Sequence, residues 1–272
     1  MTKFGLALAG GGGGYRSVMG QARGTKPFQG QMTADKTDLT TVLVGPPMLA
    51  YGSDTLRMSG ILQQIVDDFG CVLRYRKSAV RPDRPSGSWV DGGTTYSSED
   101  TPFAEDFSLA SLGSNLWVQP AVAAKRTTTG TTPVEALGAF RAFVQGNSQM
   151  VAHQTFEIEP DTNSGSSTIL PIGKPFPALG AGGVMVGVVA SGFSGTSVTM
   201  NLVGRAFTAT LDQPSSWGSN LITDKTFSGN DDYNTGDLTS LSLGTAAFAQ
   251  LGLVITSTTG RGRLELLAAT RY

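Results

Sequence analysis

The chain has 272 residues, with 20 Lys and Arg against 21 Asp and Glu, a net charge of −1 and 36 glycines. That balance supplies no basic field to draw the protein onto nucleic acid or anionic lipid. A single cysteine, Cys71, and a single histidine, His153, exclude an intramolecular disulfide framework, a multi-cysteine zinc centre and a site built from several histidines.

Charged residues make up only 15% of the chain, and Gly, Ser and Thr are abundant without a collagen period. This composition fits short strands joined by many turns, or extended arms, better than a helical enzyme. The length allows one large β domain or two smaller ones. No 18-residue apolar span and no charged leader precede the glycine-rich start, so neither a membrane helix nor a signal peptide is expected, and a soluble protein of a reducing cytoplasm is.

The first stretch, "GLALAGGGGGYRSVMG" (residues 5–20), sets five consecutive glycines behind an apolar run. It resembles the opening of patatin-like lysophospholipases, where a strand runs into a GGG-x-R loop whose amides stabilise an oxyanion. The resemblance implies a serine on a G-x-S-x-G elbow and a downstream DGG aspartate. The nearest serines, Ser148, Ser194 and Ser197, lack the final glycine, and Asp91-Gly92-Gly93 precedes all three, which inverts the family order. No catalytic residue is therefore assigned. Residues 1–38 show neither helical nor strand periodicity and read as an extended, Gly-rich arm that gains order only against another surface.

Residues 39–165 read as a mixed α/β region. A strand at Leu39–Val44 leads to Gly45-Pro46-Pro47 and then to a predicted helix. In that helix Met58, Ile61, Leu62, Ile65, Val66 and Phe69 share a face, Ser53 or Asp54 caps the start and Gly70 ends it. "CVLRYR" (71–76) alternates as a strand. Residues 77–113 form a long polar excursion with little periodicity, of the kind held by a neighbouring subunit. A second predicted helix starts at Thr132-Pro133-Val134-Glu135, runs through Leu137, Phe140, Phe143 and Val144, and closes at Gly146. The strand "TFEIE" follows, with His153 just before it as a partly exposed strand histidine, and "PDTNSGSS" (160–167) marks a boundary.

Residues 166–272 read as a β-sandwich or jelly roll of seven short strand-like runs, the last two joined as a hairpin through "STTGRGR". No period aligns between the halves, so no internal duplication is predicted. The fold class expected is therefore mainly β, with an extended arm, a mixed region carrying two short helices and a sandwich.

Three groups invite a chemical reading. "GNDDYNTGD" (229–237) spaces Asn230, Asp232, Asn234 and Asp237 as oxygen ligands, but glycine falls one place late for a calcium loop and position twelve is Leu241; an acidic turn accounts for it. Arg74, Arg76, Lys77, Arg81 and Arg84, with Tyr75 and Trp89, form a basic patch expected to pair with Glu99-Asp100 and Glu105-Asp106. Trp89, Trp117 and Trp217 are dispersed.

No cofactor, metal or catalytic set is expected, and an enzyme is not. In style, though without a diagnostic motif, the cysteine-poor, Gly/Ser/Thr-rich β chain with an arm resembles bacteriophage virion structural proteins: capsid, cement or appendage subunits. That resemblance implies copies of itself and other virion proteins as partners, assembly in the host cytoplasm and no membrane. The alternatives are a carbohydrate-binding appendage using Trp217 and Tyr233, and the patatin-like hydrolase.

Overall fold

The computed structural model describes residues 25–66, 68–83, 87–109, 115–146, 148–159, 168–194, 197–207, 215–218, 220–238, 246–258 and 261–272. Nine strands form the first part: β1 (Lys26–Ala34), β2 (Thr40–Val44), β3 (Met48–Leu49), β4 (Thr55–Gln63), β5 (Phe69–Ser78), β6 (Val90–Asp91), β7 (Phe103–Ser108), β8 (Trp117–Arg126) and β9 (Val134–Gln145). Eight form the second: β10 (Ser148–Ile158), β11 (Leu170–Pro177), β12 (Gly183–Ser194), β13 (Val198–Phe207), β14 (Asn220–Phe227), β15 (Asp231–Asn234), β16 (Phe248–Thr258) and β17 (Arg261–Arg271).

The first part stacks a sheet of order β1-β9-β4-β7 on one of order β2-β8-β5-β6, with β3 added on β8. The second stacks β10-β17-β12-β15 on β11-β16-β13-β14. With β3 set aside, each strand of the first part has a counterpart at the same place in the second, from β1 and β10 through to β9 and β17. Two four-stranded antiparallel sheets connected in this order are a jelly roll, and the chain holds two in tandem.

Each jelly roll has its own core between its sheets. Met58, Leu62, Cys71, Leu73, Val122 and Phe140 belong to the first, and Val186, Val188, Met200, Leu253 and Leu266 to the second. Burial raises the Cys71 thiol from its ordinary 9.0 to about 12, as an apolar core disfavours the thiolate.

Neither predicted helix forms. Thr132–Gly146 is occupied by β9, whose side chains alternate buried and exposed: Val134, Ala136, Gly138, Phe140 and Ala142 face the core, while Leu137 and Phe143 face outward. Phe140, on which the helical reading relied, lies against Phe28, ring centroids 5.5 Å apart, and edge-on to Phe103 at 6.2 Å. The first predicted helix is divided between β4 and β5. Leu56, Met58 and Leu62 point inward from β4, Gln64 and Asp68 turn the chain with positive φ, and Phe69 opens β5. A four-residue spacing such as Met58 to Leu62 is even, so it satisfies a strand as well as a helix.

Other expectations change in detail. Lys26–Ala34, inside the stretch read as an arm, pairs with β9 along its whole length. β10 lies ahead of residue 166 and belongs to the second sandwich. The last two strands are not a hairpin: β16 pairs with β11 and β13 in one sheet, and β17 with β10 and β12 in the other. Truncating Phe140→Ala should cost about 3–5 kcal/mol, measured by chemical denaturation. An effect near zero would show that its ring is not in a core.

Candidate functional site

The two jelly rolls carry the same polar network at equivalent places. In the first, Arg76 on β5 lies opposite Gln119 on β8; its Nε and Nη2 donate to Gln119 Oε1 at 3.0 and 2.8 Å. The Gln119 amide then donates to the Gly45 carbonyl at 3.3 Å, and the guanidinium lies 4.5 Å from the Trp89 ring centroid. In the second, Arg205 on β13 lies opposite Gln250 on β16. Its Nε and Nη2 donate to Gln250 Oε1 at 3.0 and 2.6 Å, Gln250 donates to the Gly173 carbonyl at 3.0 Å, and the guanidinium lies 4.4 Å from Trp217.

Both tryptophans come from the connection that follows the arginine strand, so a cation–π contact ties that connection to the sheet in each unit. A side chain at Gly252 would run into the Trp217 ring and Ile169. This network accounts for Trp89 and Trp217 as parts of the fold rather than as members of one platform.

The turn after each network is shared as well. Val44-Gly45-Pro46-Pro47-Met48-Leu49-Ala50-Tyr51-Gly52-Ser53 aligns without a gap on Ile172-Gly173-Lys174-Pro175-Phe176-Pro177-Ala178-Leu179-Gly180-Ala181. The Ala50 carbonyl accepts from Ser53 N at 3.0 Å, and the Ala178 carbonyl from Ala181 N at 2.9 Å. Gly52 and Gly180 hold the third turn position with φ of 68° and 79°, a conformation that favours glycine. Tyr51 and Leu179 occupy the same place at the tips.

The units meet on one side of the second. Leu49, Tyr51, Val80, Leu116 and Trp117 of the first pack against Met185, Val189, Leu267 and Ala269, on the outer face of β12 and β17. Gly187 lets Val80 and Leu116 approach β12 closely; a Cβ there would meet both. Polar contacts frame the apolar seam: Tyr51 Oη donates to Asp237 Oδ1 at 2.7 Å, Arg271 Nη2 reaches Asp237 Oδ2 at 2.7 Å, and Asn234 Nδ2 donates to the Ala79 carbonyl at 2.8 Å. Burial first, and then the Asp237 carboxylate, push the Tyr51 hydroxyl well above the usual phenol range.

The residues singled out in the sequence are dispersed among these structures. Arg74 is buried, donates to Thr41 Oγ1 and pairs with Asp91, so the DGG aspartate neutralises an arginine. Gly93 N donates to Glu105 at 2.6 Å. Arg81 pairs with Asp83, while Asp106 pairs with Arg57, Gln64 N donates to Glu99 and Gln63 donates to Asp100. None of these pairs, among the described residues, joins an acidic pair to the basic patch. Lys77 lies in β5 and Tyr75 in the first core; Arg84 lies outside the described residues, as does the glycine run.

His153 Nε2 lies 2.6 Å from Glu265 Oε1 across β10 and β17. In the 229–237 stretch, residues 231–234 are strand β15, and Asn234 and Asp237 are engaged at the seam. Tyr233 sits edge-on to Phe227 at 6.3 Å. Among the described residues no group of three or more His, Cys, Asp and Glu side chains could hold a metal ion, and no helix is long and apolar enough to cross a membrane.

No family model and no curated protein sequence matches the chain. Similar solved structures include the T13 IBDV viral particle (8% identity, 91% of this chain and 69% of that one, TM-score 0.30) and the STIV MCP (9%, 90% and 95%, TM-score 0.26). Another is the tandem CBM22-1-CBM22-2 domain of Paenibacillus barcinonensis Xyn10C (7%, 89% and 94%, TM-score 0.29). Likenesses this distant carry no argument; the strand order itself identifies the jelly rolls.

Replacing Gln119 or Gln250 by Ala leaves an arginine and a backbone carbonyl without their shared partner. Each change should cost about 1–3 kcal/mol, and the two should add to within about 0.5 kcal/mol because they lie in separate units. Denaturation of the single and double variants checks this, and a neutral single variant would show that the two networks are not equivalent.

Proposed function

We propose that this chain is a structural subunit of a phage-like virus particle, a capsid or capsid-associated protein that self-assembles through its Gly-rich N-terminal residues. The observation that carries the reading is the tandem of two equivalent jelly rolls fixed on one apolar seam. Jelly rolls are used in viral shells as well as in lectins and cupins, and a paired block suits repeated contact with identical neighbours.

Supporting this, the titratable residues that the sequence singles out are engaged in pairs that stabilise the fold, as with Arg74 and Asp91 or His153 and Glu265. The strand that follows residues 1–24, β1, lies at the edge of its sheet. In the 77–113 stretch, β6 pairs with β5 and β7 with β4 of the same chain. We therefore propose the arm, rather than these two strands, as the element exchanged between copies.

Deletion of residues 2–24 leaves every described strand intact, so the variant should fold as the full chain does by circular dichroism while losing assembly in light scattering and electron microscopy. Particles indistinguishable from those of the full chain would contradict a bridging arm.

A further inference from the structure

The seam between the two jelly rolls uses two surfaces, and the chain carries a second example of each. One is the outer face of β12 and β17; its counterpart in the first unit is the outer face of β4 and β9. The other is the end of the first jelly roll, led by the turn bearing Tyr51; its counterpart in the second is the turn bearing Leu179.

The registers fix the correspondence residue by residue. β4 and β9 begin their pairing at Thr55 opposite Gln145, and β12 and β17 at Gly183 opposite Arg271. Stepping along both ladders, Met185 and Ala269 correspond to Arg57 and Phe143, Gly187 and Leu267 to Ser59 and Arg141, and Val189 to Ile61.

Among the described residues the first member of each pair of surfaces is covered and the second is open. Tyr51 is 3% exposed, whereas Leu179, at the same place in the same turn, is 69% exposed. Met185 is 1% and Ala269 0% exposed, whereas Phe143 is 43% exposed. Further along β4 and β9 from Phe143 lies a shallow groove of about 550 Å³, lined by Ser59, Ile61 and Arg141 of the outer face and by the Phe28, Phe103 and Phe140 rings. Large apolar side chains exposed at corresponding positions are what a partner of this kind would cover.

We infer that the outer face of β4 and β9, centred on Phe143, receives the Leu179 turn of a second copy of this chain, repeating between copies the contact that Tyr51 makes within one. The inference rests on the proposed role as a self-assembling subunit and names the surfaces of that assembly. The contact is head-to-tail, with different patches on the two partners, and so propagates into a ring or a filament instead of stopping at a symmetric dimer. The receiving face is more polar than its internal counterpart because Arg57 and Arg141 replace Met185 and Leu267. Interfaces formed after folding are commonly more polar than permanent ones.

Two variants block opposite ends. Leu179→Asp alters an exposed turn tip and leaves Gly180 in place; Phe143→Glu alters the receiving face, with Phe143→Thr as a substitute that keeps strand propensity should the glutamate impair folding. Sedimentation and light scattering should show concentration-dependent assembly of the unmodified chain, and association weakened about tenfold or more in either variant. An equimolar mixture of the two variants should associate more strongly than either variant alone, since it retains one intact turn and one intact face per pair. Variants that assemble like the unmodified chain would overturn this contact while leaving the subunit role standing. An unmodified chain that stays monomeric at every concentration would overturn both.

Discussion

The constraint on which the structure depends is the apolar outer face of β12 and β17. A sheet in a sandwich needs one apolar face, and its other face ordinarily meets water. Here Gly183–Ala190 is buried at every position, because Met185 and Val189 point away from the second core as Val184, Val186 and Val188 point into it. Left uncovered, that second face would be a large apolar patch facing solvent. The first jelly roll covers it with the ends of its strands and turns, Gly187 brings the backbones close, and Asp237 binds Tyr51 and Arg271 at the margin. Two small domains thereby become one block of fixed geometry.

The β class, the turn-rich composition and several strands were legible in the sequence. The C-terminal sandwich was visible because runs such as "SVTMNLV" alternate cleanly. The first jelly roll was obscured by two coincidences. Positions four apart on β4 satisfy both helical and strand periods, and on β9 the inward places are partly filled by Ala136, Gly138 and Ala142, which are too small to register as a stripe. Outward Leu137 and Phe143 then completed a false helical face. They stand out only once the strand is known, and they are the residues that a partner would cover.

The duplication was hidden for a different reason. Jelly-roll equivalence lives in strand order, which leaves little trace in sequence. The trace that does remain is short: Gly45, Pro47, Ala50 and Gly52 recur as Gly173, Pro175, Ala178 and Gly180. Each serves backbone geometry or close packing rather than chemistry. The Arg–Gln–Trp network recurs too, but its members come from separate strands and a connection, so no local window contains them. A chain built this way carries its surfaces in matched pairs.

The central claim is that the two jelly rolls are held in one orientation by the seam, and it is tested most directly by a distance measurement across it. Spin labels at Thr33→Cys and Thr155→Cys, both exposed strand positions in different units, can be attached while Cys71 stays buried and protonated. Pulsed electron resonance on the doubly labelled chain should return a single narrow distance distribution. A broad distribution would contradict the account, because it would mean that the units tumble independently and that the seam does not fix them.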